Sequence, residues 1–157
     1  RSDMIIKQAE LFQGLSHNFI KDLMAIATRV SFQKGDVVFR SGEPAEHFYI
    51  LIQGCVRLRL GQEGREVYTG EKLGEIFGWS SLIDRKDYTA SAVCSEPTTL
   101  LRIARRQFQS ILDKDHYSSL LFFQHLAAVL GNRLMQLYGS EADEHREALK
   151  TEREAAV

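Results

Sequence analysis

"KGDVVFRSGEPAEHFYILIQGCV", residues 34–56, is made of short β-branched and aromatic runs set between turn-forming residues. Runs of this kind read as strands, and Gly42, Pro44 and Gly54 read as the corners between them. Gly35 falls between "RVSF" and "VVF", where a positive φ would close a tight hairpin. Gly54 is also compatible with a bulge. "FYILI" is a continuous apolar run, the pattern of a strand buried on both faces. "CVRLRL" alternates instead, which directs Val56, Leu58 and Leu60 inward and Arg57 and Arg59 to solvent. Gly61 and Gly64 mark a further corner, and "YTASAV" and "TTLLRI" continue the strands.

Helices flank this β region. On its N-terminal side, Phe19, Ile20, Leu23, Ile26 and Ala27 form one helical stripe behind Ser16, a residue suited to the N-cap. On the other side "RRQFQSIL" opens a helical part that continues in "HYSSLLFFQHLAAVLGNRLMQLYG", residues 116–139. Leu120, Phe123, Ala127, Leu130, Leu134 and Leu137 recur there at spacings of 3, 4, 3, 4 and 3, a heptad seam. Phe122, Leu126, Val129 and Arg133 form a second stripe that can face the β body. Both stripes could pack within one chain, but a lone helix on a small β body has nothing else to bury the second one. Pairing with a second copy, as a homodimer through the C-terminal helix, is the reading preferred. Residues 141–157 then carry six acidic and three basic side chains with few apolar ones, a helix-prone stretch without a core of its own. The expected division is a domain over residues 1–138, long helix included, and a charged extension over residues 139–157.

Bulk properties narrow the function. A chain of 157 residues that is 44% hydrophobic can bury one core, and its net charge of −1 supplies no global basic field for nucleic acid. No run approaches the roughly 18 apolar residues of a membrane span. The N-terminus shows no secretory leader and does not start with Met, so a trimmed or tagged start is expected. Cys55 and Cys94, without a CxxC, read as small buried apolar residues in a reducing cytoplasm. No serine or cysteine has a histidine at a suggestive spacing, and only His47 lies in the β region, so neither a catalytic residue nor a metal site is assigned.

"EKLGEIFGWSSLIDRKDYTASAV", residues 71–93, supplies the chemistry: a strand end, a Gly-Glu turn, a short helix, a charged loop and a strand. The order of elements, with Gly35-Asp36, Gly42, "FYILI", Gly54 and Leu73-Gly74-Glu75, resembles the cyclic nucleotide-binding domain of the catabolite activator and FNR family of bacterial regulators. The resemblance runs over residues 10–138. It implies a mainly β fold with flanking helices (α+β): a double-stranded β-helix, or jelly-roll-like β-roll, with N-terminal helices and a long C-terminal helix. In that family the short helix aims backbone N–H groups at the exocyclic phosphate, an Arg supplies the countercharge, a hydroxyl adds a hydrogen bond, and the Glu takes the ribose 2′-hydroxyl. The ligand-binding set implied here is Gly74, Glu75, Ile76, Phe77, Ser80, Ser81, Tyr88, Thr89, Ala90 and Ser91, with Arg133 on the long helix.

The pattern departs at the countercharge, because the family's Arg position is Tyr88. Arg85 and Lys86 could swing in as substitutes or stay solvated. Phe77 and Trp79 either fill the place of the purine and ribose or join the core, and Leu137-Tyr138 stands where the family's activator offers base-contacting hydroxyls. The expected function is therefore a non-enzymatic ligand-sensing regulatory module whose ligand sits between the β-roll and the long helix. Recognition of cyclic AMP or cyclic GMP is expected to be weakened or altered, and the ligand to be a cyclic nucleotide or something else. Two alternatives remain: the sensor part of a transcription regulator whose helix-turn-helix is absent from this chain, and a haem or other small-ligand sensor. For haem the available side chains are His17, His47, His116, His125, His145, Cys55 and Cys94.

Overall fold

In chain order the elements of the computed structural model are α1 (Ser2–Gln8), a 3-10 turn (Glu10–Phe12), α2 (His17–Ile26), β1 (Thr28–Phe32), β2 (Val37–Phe39), β3 (His47–Gln53), β4 (Val56–Leu60), β5 (Arg65–Gly70), β6 (Ile76–Phe77), a 3-10 helix (Trp79–Leu82), β7 (Ser91–Cys94), β8 (Thr98–Ala104), α3 (Arg105–Lys114) and α4 (His116–Ala155). The structure describes residues 2–62 and 64–156. Arg1 and Val157, the outer limits of the expected division, lie outside the described residues. The chain forms two compact units divided between Phe122 and Phe123.

Two four-stranded antiparallel sheets make up the first unit, in the orders β1-β8-β3-β6 and β2-β7-β4-β5. This is the β-roll that the sequence implied, but Gly35 does not close a hairpin. Strands β1 and β2 belong to different sheets, so Gly35, at φ +90°, turns a corner between them, with its N–H donating to Cys94 O at 2.7 Å. Gly54 carries the chain from β3 to β4 in the same way, just after a register shift between Leu51 and Gln53. A side chain at Gly54 would overlap the backbone of Thr98. The consecutive strands that pair are β4 and β5.

Strand β3 explains its own apolar run. Tyr49 and Leu51 point into the core between the sheets, with Val56, Leu58, Phe77, Ala92 and Leu100. Phe48 points the other way and meets Phe108 of α3 at 5.0 Å between ring centroids. Alternation along β4 holds for Val56 and Leu58, while Leu60, at the strand's end opposite Arg65, is 43% exposed rather than inward.

An aromatic cluster joins the helices of this unit: Phe108 lies 5.1 Å from Phe122 and 6.0 Å from Phe19, and Phe12 lies 5.8 Å from Phe122. Phe122, expected to face the β body, thus packs on helical aromatics. Ser16 caps α2 by accepting from Phe19 N at 3.1 Å, and its hydroxyl donates to Asp115 Oδ2 at 2.6 Å. Asp115 Oδ1 accepts from Ser118 N, and Ser118 Oγ accepts from Ser16 N at 2.9 Å. This knot ties the start of α2 to the junction of α3 and α4.

The second unit is the continuation of α4, which passes residue 139 without a break. Phe123, Leu134, Leu137 and Tyr138 are exposed along it.

Candidate functional site

The turn from Gly70 to Gly78 is shaped by close approach. Gly74 has φ +86°, and a Cβ there would overlap that of Ala9. Its N–H donates to Leu51 O at 2.8 Å, and Leu51 N–H returns a bond to Glu75 O at 2.8 Å. This exchange continues into the pairing of Ile76 and Phe77 with Ile50 and Tyr49, so the Gly-Glu turn is pinned to the central strand β3. Gly78, at φ +80°, starts the 3-10 helix, and a Cβ there would come within 2.9 Å of His47 O.

The carboxylate of Glu75 is held from two sides, Oε2 by Lys72 N–H at 3.0 Å and Oε1 by the Tyr68 hydroxyl. Sequence reasoning did not single out Tyr68. Its signal was the β4–β5 hairpin, whose register sets Tyr68 opposite Leu58, a residue already read as inward.

Tyr88 decides the character of the site. Its ring lies 4.0 Å from that of Phe39 at an interplanar angle of 22°, and the residue is only 5% exposed. Its hydroxyl donates to His47 O at 2.6 Å and accepts from His47 N–H at 3.2 Å. Burial pushes the phenol up to about 12, against the smaller downward pull of the His47 hydrogen bond. Its backbone is held too, the N–H by Glu43 O and the carbonyl by Gly42 N–H. The position read as the phosphate countercharge is therefore built as a neutral, inward-turned aromatic. The half-buried Arg102 is opposite Tyr49 in the β3–β8 register, and after burial its charge is the next influence lowering the His47 pKa.

The other expected ligand residues divide. Ile76 and Phe77 are core, at 2% and 0% exposure. Ser91 Oγ accepts from Ser41 N–H at 2.9 Å, Ala90 packs against the core edge, and Thr89 is exposed. The strand read as "YTASAV" begins at Ser91, with Tyr88 to Ala90 leading into it. Ser80 and Ser81 are buried, and Ser81 lines a cleft against α3. Arg85 and Lys86 are exposed, and their carbonyls accept from Arg105 Nη1 and Ala45 N–H. Arg133 belongs to the second unit, on α4.

The Gly-Glu turn spends its N–H groups within the protein, Gly74 on Leu51 O and Glu75 on Lys72 O, and the Tyr88 position does not offer a cation. Among the described residues no group of three or more His, Cys, Asp or Glu is gathered so as to hold a metal ion, and no helix is long and apolar enough to cross a membrane.

Comparison with known proteins places this geometry. The family profile "Cyclic nucleotide-binding domain" matches residues 29–115. The chain is 31% identical over 144 residues to the CRP-like cAMP-activated global transcriptional regulator of Mycobacterium tuberculosis, covering 90% of this chain and 62% of that protein. It thus spans about three fifths of the length of that regulator. The crystal structure of the sensor domain of the transcriptional regulator DNR from Pseudomonas aeruginosa superposes with a TM-score of 0.68 at 29% identity, covering 85% of this chain and 94% of the other. The catabolite activator protein of Thermus thermophilus superposes with a TM-score of 0.67 at 29% identity, covering 90% and 63%.

Proposed function

This chain belongs to the cyclic nucleotide-binding domain family, and we propose that it is a non-enzymatic, cytoplasmic sensor module whose nucleotide recognition is weakened at Tyr88. One observation carries the reading. The Tyr88 side chain, stacked on Phe39 and bonded to the His47 backbone, presents no positive charge to an exocyclic phosphate. A guanidinium–phosphate pair contributes about 1.5–3 kcal/mol, so its loss lowers affinity by about one to two powers of ten. Glu75 retains its part, the carboxylate being oriented by Tyr68 and Lys72 for a ligand hydroxyl. The module acts as a homodimer through α4, on which Leu120, Phe123, Leu134 and Leu137 are exposed at the heptad spacing, with Ala127 and Leu130 in the same seam.

Calorimetric titration with cyclic AMP and cyclic GMP, on the native protein and on Tyr88→Arg, tests the recognition. The variant is expected to bind one of them at least about 10-fold more tightly than the native protein. Sub-micromolar binding by the native protein overturns the reading even if the variant fails to fold. A second reading, as the sensor part of a transcription regulator, is favoured by the match to a regulator so described. A mobility-shift assay on the full gene product distinguishes the two.

A further inference from the structure

Gly131 stands inside α4 without a reason in its own chain. After proline, glycine is the residue least suited to a helix interior, because its backbone gives up the most freedom there. Nothing lies within 4 Å of where a Cβ at Gly131 would stand, so no neighbour in the chain demands its smallness. Ala127, one turn earlier, is exposed as Gly131 is. A backbone approaching from outside the chain accounts for both. A helix turns about 100° per residue, which places Ala127, Leu134, Met135 and Tyr138 within about 60° of Gly131. The last three are 48%, 67% and 56% exposed. Leu130 and Leu137, of the heptad seam, lie further round at about 100–120°, and Leu130 is half-buried.

Charge and area select the occupant. From Phe123 to Tyr138 the only formally charged side chain is Arg133, about 160° round the helix from Gly131. A strongly charged partner therefore finds no counterpart on this face, while a second copy meets no like charge. The face exposes on the order of 500 Å2, so two copies together cover on the order of 1,000 Å2, the lower end for a specific interface. A two-fold axis lays the same notch of small residues upon itself. We propose that the α4 helices of two copies cross at Ala127 and Gly131, where the missing side chain of Gly131 sets how closely they approach. Leu134, Met135 and Tyr138 pack beside the crossing. This rests on the homodimer reading and moves its contact line from Leu130 and Leu137 onto Gly131 and Tyr138.

Sedimentation equilibrium of the native protein is expected to show a dimer with a Kd of about 10 μM or tighter. Gly131→Ala should weaken that dimer by at least about 10-fold while keeping or raising the helical signal in circular dichroism, because alanine is the better helix former. Gly139→Ala makes the same exchange in equally open surroundings, about 80° round the helix from Gly131. It should gain helicity and leave the dimer Kd within about 3-fold. Tyr138→Ala should weaken the dimer by about 10-fold and Leu137→Ala by less than about 3-fold, both residues being exposed in the single chain. A dimer unchanged or tightened in Gly131→Ala, or weakened more by Leu137→Ala than by Tyr138→Ala, overturns the crossing and leaves the homodimer standing on the heptad seam. A native protein that stays monomeric up to about 100 μM removes the homodimer reading and the crossing with it.

Discussion

Tyr88→Phe separates the two things that Tyr88 does. The substitution keeps the ring on Phe39 at its 4.0 Å separation and removes only the hydroxyl that bonds both the carbonyl and the N–H of His47. Two hydrogen bonds are lost, both of them only partly buried. The expected cost at pH 7 is about 1–2 kcal/mol, below the roughly 3 kcal/mol or more of truncating the ring to Ala. A second signature is the pH dependence. The phenol's pKa is raised from 10.0 to about 12, so the folded protein keeps a proton that the unfolded chain releases. Its contribution is fully present below pH 10 and is lost as pH rises towards 12, a fall of about 2 kcal/mol that the Phe variant does not share. Urea unfolding followed by Trp79 emission at pH 7 and near pH 11 measures both. The gap between native and variant should narrow with pH, and cyclic nucleotide affinity should stay within about 3-fold because no cation is gained or lost. Equal stabilities at pH 7, with parallel alkaline losses in the two proteins, would refute the argument that Tyr88 locks this turn to β3.

Gly74→Ala forces a Cβ against Ala9 at φ +86°, and is expected to cost about 2–4 kcal/mol, roughly 5–15 °C in Tm by calorimetry; an unchanged Tm would contradict the close approach. The hydrogen bond from the Ser16 hydroxyl, followed by that from Ser118 N–H, holds the Asp115 carboxyl below its usual value, so its contribution is present above the ordinary carboxylate range and is lost as pH falls through the lowered value. Acid unfolding of Asp115→Asn should therefore be shallower than that of the native protein, and superimposable acid curves would remove the knot from the account.

Much of the roll was legible because its determinants are local. The run from Phe48 to Ile52 alternates between two cores rather than between core and solvent, and an uninterrupted apolar strand is the signature of that arrangement. Ser16 and the stripe behind it gave α2 its start, since a cap needs only the residues beside it. Pairing partners were another matter. Gly35 carries the positive φ of a hairpin turn, but hairpin and inter-sheet corner make the same demand on that residue, and only the distant strands β7 and β8 decide between them.

The candidate site shows the same limit in sharper form, because two of its residues acquire their meaning from partners far along the chain. A tyrosine in an arginine's place reads, in sequence, as a lost charge. In the fold it is also a gained contact, since Phe39, from the start of the roll, gives the ring a flat surface and His47 gives the hydroxyl both a donor and an acceptor. Ser81 sits in the stretch that the resemblance assigned to a phosphate, yet the cleft it lines belongs to α3, whose Arg105 and Phe108 lie beyond two further strands. The short helix can serve both places because a single 3-10 turn presents successive side chains in different directions. Its neighbours on the cradle side and on the α3 side are therefore separable by substitution. Tyr88→Phe acts on the first and Ser81→Ala on the second, and their effects on stability should add unless the turn moves as one piece.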